Sequence, residues 1–169
     1  AAIERGILGR IAVTYLEWAG DFDRKVLMPW TLIDNAGDAL AFAERLQAMP
    51  LRRAQRTSIS GAIDLGAKLL SESGFAATRR VIDISGDGPN NQGRPVQTAR
   101  DEALRAGLTL NGLPIMLKQP GYLDIADLED YYRDCVIGGT GAFLVPVRAK
   151  EQFAAAIRTK IMLEIAGLT

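Results

Sequence analysis

Val81-Ile82-Asp83-Ile84-Ser85-Gly86-Asp87-Gly88-Pro89-Asn90-Asn91-Gln92-Gly93 is the stretch that decides how this chain is read. Its first residues form an apolar, β-branched run, a buried strand by composition. The run passes straight into a turn that carries one carboxylate, Asp87, among three glycines. Open α/β sheets bind ligands beyond the carboxyl ends of their strands, so Asp87 stands where such a fold does its binding. A lone carboxylate there suits a hard cation better than a covalent catalyst.

Elements on both sides of this stretch extend the pattern. Arg10 to Trp18 reads as a strand, Gly20-Asp21 as a turn, and Val26 to Ile33 as an antiparallel partner strand. Pro29 has no N–H for a ladder, which places the second strand at a sheet edge. Asp34 and Asn35 offer caps for a helix reaching to about Ala48, with Phe42, Leu46 and Met49 as its apolar positions. Thr57 opens another helix, whose stripe is Ile59, Ile63, Gly66 and Leu70. After the glycine loop, Pro95 starts a helix carrying Val96, Ala99 and Ala103, which stops at Gly107.

Leu108 to Leu113 is a further strand, and Ile125, Leu128, Tyr132 and Cys135 share one face of the next helix. Ala142 to Val147 reads as a last strand, sent to the other edge by Pro146. A closing helix shows Phe153, Ile157, Ile161 and Ile165 four apart. Such alternation predicts a single α/β domain over residues 1–169: an open, doubly wound, mostly parallel sheet with helices on both faces and an antiparallel edge strand. The first hairpin and the Val81 strand need a central partner between them, and the sequence supplies none.

Composition closes off several classes of function. Twenty basic residues balance twenty acidic ones, and no Lys/Arg cluster interleaved with aromatics occurs, which argues against nucleic acid. The chain has no histidine, so imidazole acid–base chemistry, Ser-His-Asp or Cys-His nucleophiles and histidine-ligated zinc are out of reach. One cysteine, Cys135, forms no internal disulfide and is expected to be a buried thiol. No apolar run is long enough to span a membrane. Ala1 to Gly6 reads as the end of a helix rather than a natural start, so a preceding segment is expected.

Four phrases carry a resemblance: Arg10 to Trp18, Arg79 to Gly93 (RRVIDISGDGPNNQG), Asn111 to Ile115 (NGLPI) and Tyr131 to Val147 (YYRDCVIGGTGAFLVPV). Together they resemble a von Willebrand factor type A domain with its metal-ion-dependent adhesion site, and within that superfamily a set of uncharacterised bacterial proteins. The resemblance implies strand order 3-2-1-4-5-6 and a metal site built from three loops. Thr57 occupies the second-loop position and Asp87 the third; Ser60 stands where many relatives have glycine. The first loop, Asp-x-Ser-x-Ser after strand 1, does not occur in these residues. Strand 1 is the central partner already missed, so the domain is expected to be truncated at its N-terminus.

The implied function is non-enzymatic recognition, in which Mg or Mn held by Thr57 and Asp87 takes a carboxylate of a protein partner. Two oxygen ligands leave most of the coordination sphere of such a cation unfilled, so binding by this chain is expected to be weak or absent. Ser58, Asn90 and Asn91 are candidates for the binding rim. Plainer readings stand beside these. Asp87 also suits a turn bonding its own backbone, Thr57 a helix N-cap, Ser58 and Ser60 ordinary helix-start residues, and the Asn-rich turn conformation alone. Asp83 is expected to pair with Arg79, Arg80 or a neighbouring backbone group. Trp18 and Trp30 read as packing residues, and Glu129, Asp130 and Asp134 as a solvated helix face. The alternative function is a Mg-dependent hydrolase or phosphotransfer enzyme using Asp87. The resemblance implies a periplasmic or secreted location, with the cytoplasm left open, and an incomplete sheet invites association between chains.

Overall fold

The computed structural model describes residues 9–50, 54–117, 125 and 127–166. The expectations for Ala1 to Gly6 lie outside them. Strand β1 (Ile11–Trp18) and strand β2 (Arg24–Ile33) form an antiparallel hairpin, with Ile11 opposite Ile33 and Trp18 opposite Arg24. Register shifts around Tyr15 mark a bulge, where the Thr14 hydroxyl donates to Met28 O at 2.7 Å. Among the described residues β2 pairs only with β1, so Pro29 sits on an edge strand as its missing N–H requires. Helix α1 (Ala36–Gln47) begins at Asn35, whose side chain accepts from Asp38 N. It buries no residue: Phe42, Leu46 and Met49 are only half-covered, so its apolar positions lie along a shallow contact.

Helix α2 (Ile59–Ser71) and helix α3 (Val96–Arg105) pack on one face of a parallel pair, β3 (Val81–Gly86) and β4 (Thr109–Pro114). Ile59, Ile63, Ile82, Ile84, Val96, Ala99 and Leu110 close this core with Tyr132 and Val136. Each fully buried branched side chain there contributes about 1.5–3 kcal/mol of apolar transfer. The expected stripe of α2 is present, with Leu70 partly buried at its edge.

The next helix departs from a plain α-helix. One α turn, α4 (Leu128–Tyr131), widens into a π segment, Tyr132–Val136, which brings both Tyr132 and Val136 fully inside. Cys135 is half-buried and accepts from Gln97 Nε2 at 3.4 Å. Nor is Ala142 to Val147 a continuous strand; its bridges are Leu144 to Gly112 of β4 and Val147 to Ile115 just after β4, both parallel. The main-chain bonds Val145 N to Gly112 O and Val147 N to Pro114 O flank Pro146, which has no donor to add.

The opposite face of β3 and β4 is polar where Asp83 lies opposite Asn111. Helix α5 (Phe153–Ala166) covers it and turns polar residues inward: Lys160, 5% exposed, pairs with Asp83, and Glu164 accepts from Asn111 Nδ2 and lies 3.4 Å from Arg79. Asp83 therefore pairs with neither Arg79 nor Arg80. The buried positions of α5 are Ala156 and Lys160, whereas Phe153 and Ile161 from the expected stripe are exposed. Asp83 and Asn111 need charged or hydrogen-bonding partners, and this rotates the helix away from its most apolar side. Glu129, expected on a solvated face, instead pairs with both Arg133 and Arg148.

Among the described residues β1–β2 and β3–β4 remain separate two-stranded sheets. The carboxyl ends of β1 and β3 still lie side by side. A Cβ added to Gly86 would come within 2.8 Å of Tyr132 Oη and 3.3 Å of Trp18 Cη2, so only glycine fits at the end of β3. Trp18 packs against the main core, as expected, and Trp30 donates to Leu69 O at 3.2 Å.

Candidate metal centre at the sheet crest

Three loops meet above the strand ends: the β1–β2 turn, the segment before α2, and the glycine turn after β3. Their junction is held by side-chain amides. Asn91 Oδ1 accepts from Thr57 N at 2.9 Å, while Asn91 N and Gln92 N donate back to Thr57 O at 2.8 and 3.2 Å. Asn90 Oδ1 accepts from Ser60 N at 3.0 Å and its Nδ2 donates to Arg94 O at 3.1 Å. Gln92 Oε1 reaches the β1–β2 turn, accepting from Asp21 N at 3.0 Å. The side-chain oxygens of Asn90 and Asn91, both candidates for the binding rim, are thus engaged within the protein, although Asn91 is exposed and Asn90 half-buried.

Ser58 is fully buried, and its main-chain N–H donates to Ala19 O at 2.6 Å. Its hydroxyl donates to Asp21 Oδ1 at 3.1 Å and accepts from Gly61 N at 3.2 Å. That makes Ser58, not Thr57, the N-cap of α2, and it removes Ser58 from any solvent-facing rim. Gly93 closes the same knot, with φ at 82° and a would-be Cβ only 2.7 Å from Ser58 Oγ.

Thr57 and Asp87 line one cavity of about 370 Å³ together with Glu17, Trp18, Ala19, Asp23, Ala54, Arg56, Ser85, Gly86 and Ile115. Thr57 is half-buried and Asp87 exposed. Arg56, next to Thr57, has φ at 76°, a left-handed conformation costing about 1–2 kcal/mol in a residue with a side chain. Such strain persists where the surroundings impose it, and here the residue after Arg56 is held through both N and O by Asn91.

Directly below Gly86, the Tyr132 hydroxyl is buried with no hydrogen-bond partner among the described residues. Burial, reinforced by Tyr131 and Asp87, pushes its pKa well above the usual tyrosine value. The Tyr131 hydroxyl, also raised by burial, accepts from Asn90 N at 3.1 Å and steadies the same turn.

Glu17 and Asp23 were not singled out from the sequence, yet both line this cavity. The available signal was positional: Glu17 precedes Trp18 at the end of a strand, and Asp23 closes its hairpin. For a hard cation the cavity offers carboxylate and hydroxyl oxygens, the right donor chemistry. Among the described residues, however, no group of three or more His, Cys, Asp or Glu side chains converges closely enough to hold a metal ion. Thr57 and Asp87 therefore fit such an ion as part of a site rather than as a complete cage.

Among curated protein sequences none matches this chain significantly. Solved structures do. Proximal thread matrix protein 1 from the mussel byssus is similar at TM-score 0.64 and 16% identity, over 96% of this chain and 38% of that one. A second structure of that protein, with a zinc-occupied MIDAS motif, gives TM-score 0.61 at 16% identity over 90% and 36% of the two chains. The conserved hypothetical protein BatB from Bacteroides thetaiotaomicron gives TM-score 0.56 at 20% identity over 90% and 80%. The chain thus spans less than two fifths of the length of the mussel protein it matches. These likenesses establish a von Willebrand A-like fold. The family model described as "Protein of unknown function (DUF1194)" matches residues 1–169, and the chain belongs to that family.

Proposed function

We propose that this is a recognition domain that presents a divalent cation at the crest of its sheet and binds a protein partner through an acidic side chain of that partner. The observation that carries the reading is the shared cavity: Thr57 from one loop and Asp87 from another line the same concavity at the strand ends. The zinc-occupied MIDAS motif of the mussel byssus protein, on the same fold, supports a divalent ion at such a crest. Mg²⁺ or Mn²⁺ would be held by the Asp87 carboxylate and the Thr57 hydroxyl, with water in most other positions. The ion would supply a positive charge with an exchangeable position for a carboxylate. Around it, the amides of Asn90, Asn91 and Gln92 fix the two loops, and Arg56 adds a positive charge beside the approach.

The reading includes a strand between β1 and β3, carrying Asp-x-Ser-x-Ser at its end, that completes both sheet and ligand set. A periplasmic or secreted location accords with the likeness to a byssus matrix protein. Among the described residues no helix is long and apolar enough to cross a membrane. Isothermal titration of Mn²⁺ into the full-length protein should show binding that Asp87→Ala abolishes with the fold intact. Unchanged affinity in the variant would end the proposal.

A second reading, metal-dependent hydrolysis or phosphotransfer, gains from Glu17 and Asp23 lining the cavity with Asp87. Mn²⁺-dependent turnover of a generic phosphate ester, lost in both Glu17→Gln and Asp87→Ala, would favour it over recognition.

A further inference from the structure

A second concavity borders the same β1–β2 turn as the crest cavity and shares none of its lining residues. It measures about 470 Å³ and is lined by Phe22, Arg24, Asp64, Leu65 and Lys68. Phe22, at the tip of the turn, is 93% exposed. A single exposed aromatic needs no explanation by itself, but this one is mounted rigidly. Ala19 N donates to Asp23 O at 2.9 Å and Asp23 N to Gly20 O at 3.0 Å. Asp21 is tied through its N–H to Gln92 and through its carboxylate to Ser58. The ring therefore stands out on a backbone fixed on both sides.

The charges beneath it are unequal. Arg94 clamps the Asp64 carboxylate with two bonds, Nε to Oδ2 at 3.1 Å and Nη2 to Oδ1 at 2.6 Å, which accounts for the notch's one acidic group. Arg24 holds Gly61 O with one nitrogen at 2.9 Å and keeps its full charge. Lys68 meets Glu72 only at 4.0 Å, with both side chains more than half exposed, a pairing that water screens heavily. Of the two acidic residues that flank Phe22 in sequence, Asp21 accepts from Ser58 and lies over Gly61 on the same side as Arg24, which leaves Lys68 as the more available cation, and Asp23 lines the crest cavity.

We propose that this notch is the second contact for the protein partner recognised at the crest, taking an extended acidic segment with one large apolar side chain. The apolar side chain packs on Phe22 and Leu65, and a carboxylate meets Lys68 and Arg24. Rigid aromatic anchors carry much of the affinity of an interface, and complementary charge beside them sets its specificity and on-rate. The inference rests on the recognition reading, because the same turn forms one wall of each concavity and a partner on one cavity reaches the other.

Random peptides displayed against the immobilised full chain in Mn²⁺ provide the probe, with selected peptides measured by fluorescence polarisation. Selection should enrich peptides that are net acidic and carry a bulky apolar residue. Phe22→Ser should weaken them at least tenfold and Lys68→Glu severalfold, Lys68→Arg should preserve binding, and none of these should shift the thermal melt. Peptides lacking acidic or apolar bias, or binding unchanged in Phe22→Ser and Lys68→Glu, would overturn the notch. If Asp87→Ala and chelation abolish binding while Phe22→Ser does not, the notch falls and the crest reading stands. If Phe22→Ser abolishes binding while Asp87→Ala and chelation do not, the crest falls and the notch stands. Sedimentation showing that Phe22 instead joins two copies of this chain, with no peptide bound, also overturns it.

Discussion

Replacing Asp83 with alanine takes away the carboxylate that faces Lys160, an ammonium only 5% exposed beneath helix α5. Stripping one partner from a buried ion pair costs about 3–5 kcal/mol, because the other charge is left uncompensated. Two features lower that figure here. The Asp83 side chain is 42% exposed, and Glu164, one turn along α5, stays close to Lys160 as a second counter-charge. We expect about 2–3 kcal/mol for Asp83→Ala, a fall in Tm of roughly 4–12 °C for a domain of this size. Lys160→Met leaves behind a carboxylate that water reaches and fills the stem volume with a thioether, so about 1 kcal/mol is expected. The double variant should cost no more than Lys160→Met alone, a coupling of about 2–3 kcal/mol. Urea unfolding of the four proteins measures all of these. Equal losses in the two single variants, or strict additivity in the double, would refute the argument that the buried ammonium governs this layer.

Ser58→Ala should cost about 1 kcal/mol through the lost cap of α2, whereas Thr57→Ala should leave the melt almost unchanged while weakening Mn²⁺ uptake; the reverse order would return the cap to Thr57. Burial, with the nearby Asp83 carboxylate, holds Glu164 above the usual carboxylate range, against Arg79, Lys160 and Asn111. A raised native pKa gives stability that is present below the unfolded value and lost as pH climbs through the native one. The melting difference between Glu164→Gln and the parent should therefore move in the variant's favour from about pH 4 to about pH 7, and a flat or opposite trend would count against it. Arg56→Gly should relieve the left-handed backbone and raise stability, or leave it level, by up to about 1 kcal/mol in urea; a loss would show that the side chain matters more than the strain.

Much of the fold was legible because each apolar run met its own punctuation. Pro29 and Pro146 mark segments without inner ladders, and Asn35, Pro95 and Gly107 bracket helices. What escaped were choices made between elements. The face that α5 buries depends on Asp83 and Asn111, which lie 77 residues before Lys160 and 53 before Glu164 in the chain and meet them only through folding; no periodicity within Phe153 to Ala166 encodes that polarity. The π segment at Tyr132 likewise reflects two side chains sharing one core. At the crest, the sequence picked out Thr57 and Asp87, and both line the cavity. It missed Glu17 and Asp23, ordinary residues of a hairpin until a distant loop comes beside them, and it gave no sign that Asn90 and Asn91 tie two loops together.

The amide knot of Asn90, Asn91 and Gln92 has a kinetic meaning. Neutral side chains draw the loops together, so the shape of the crest does not depend on the proposed cation. An ion bound there as proposed would have only its own waters to shed and no chain to reorganise, so its loading and release would be governed by solvent exchange and not by folding of the protein.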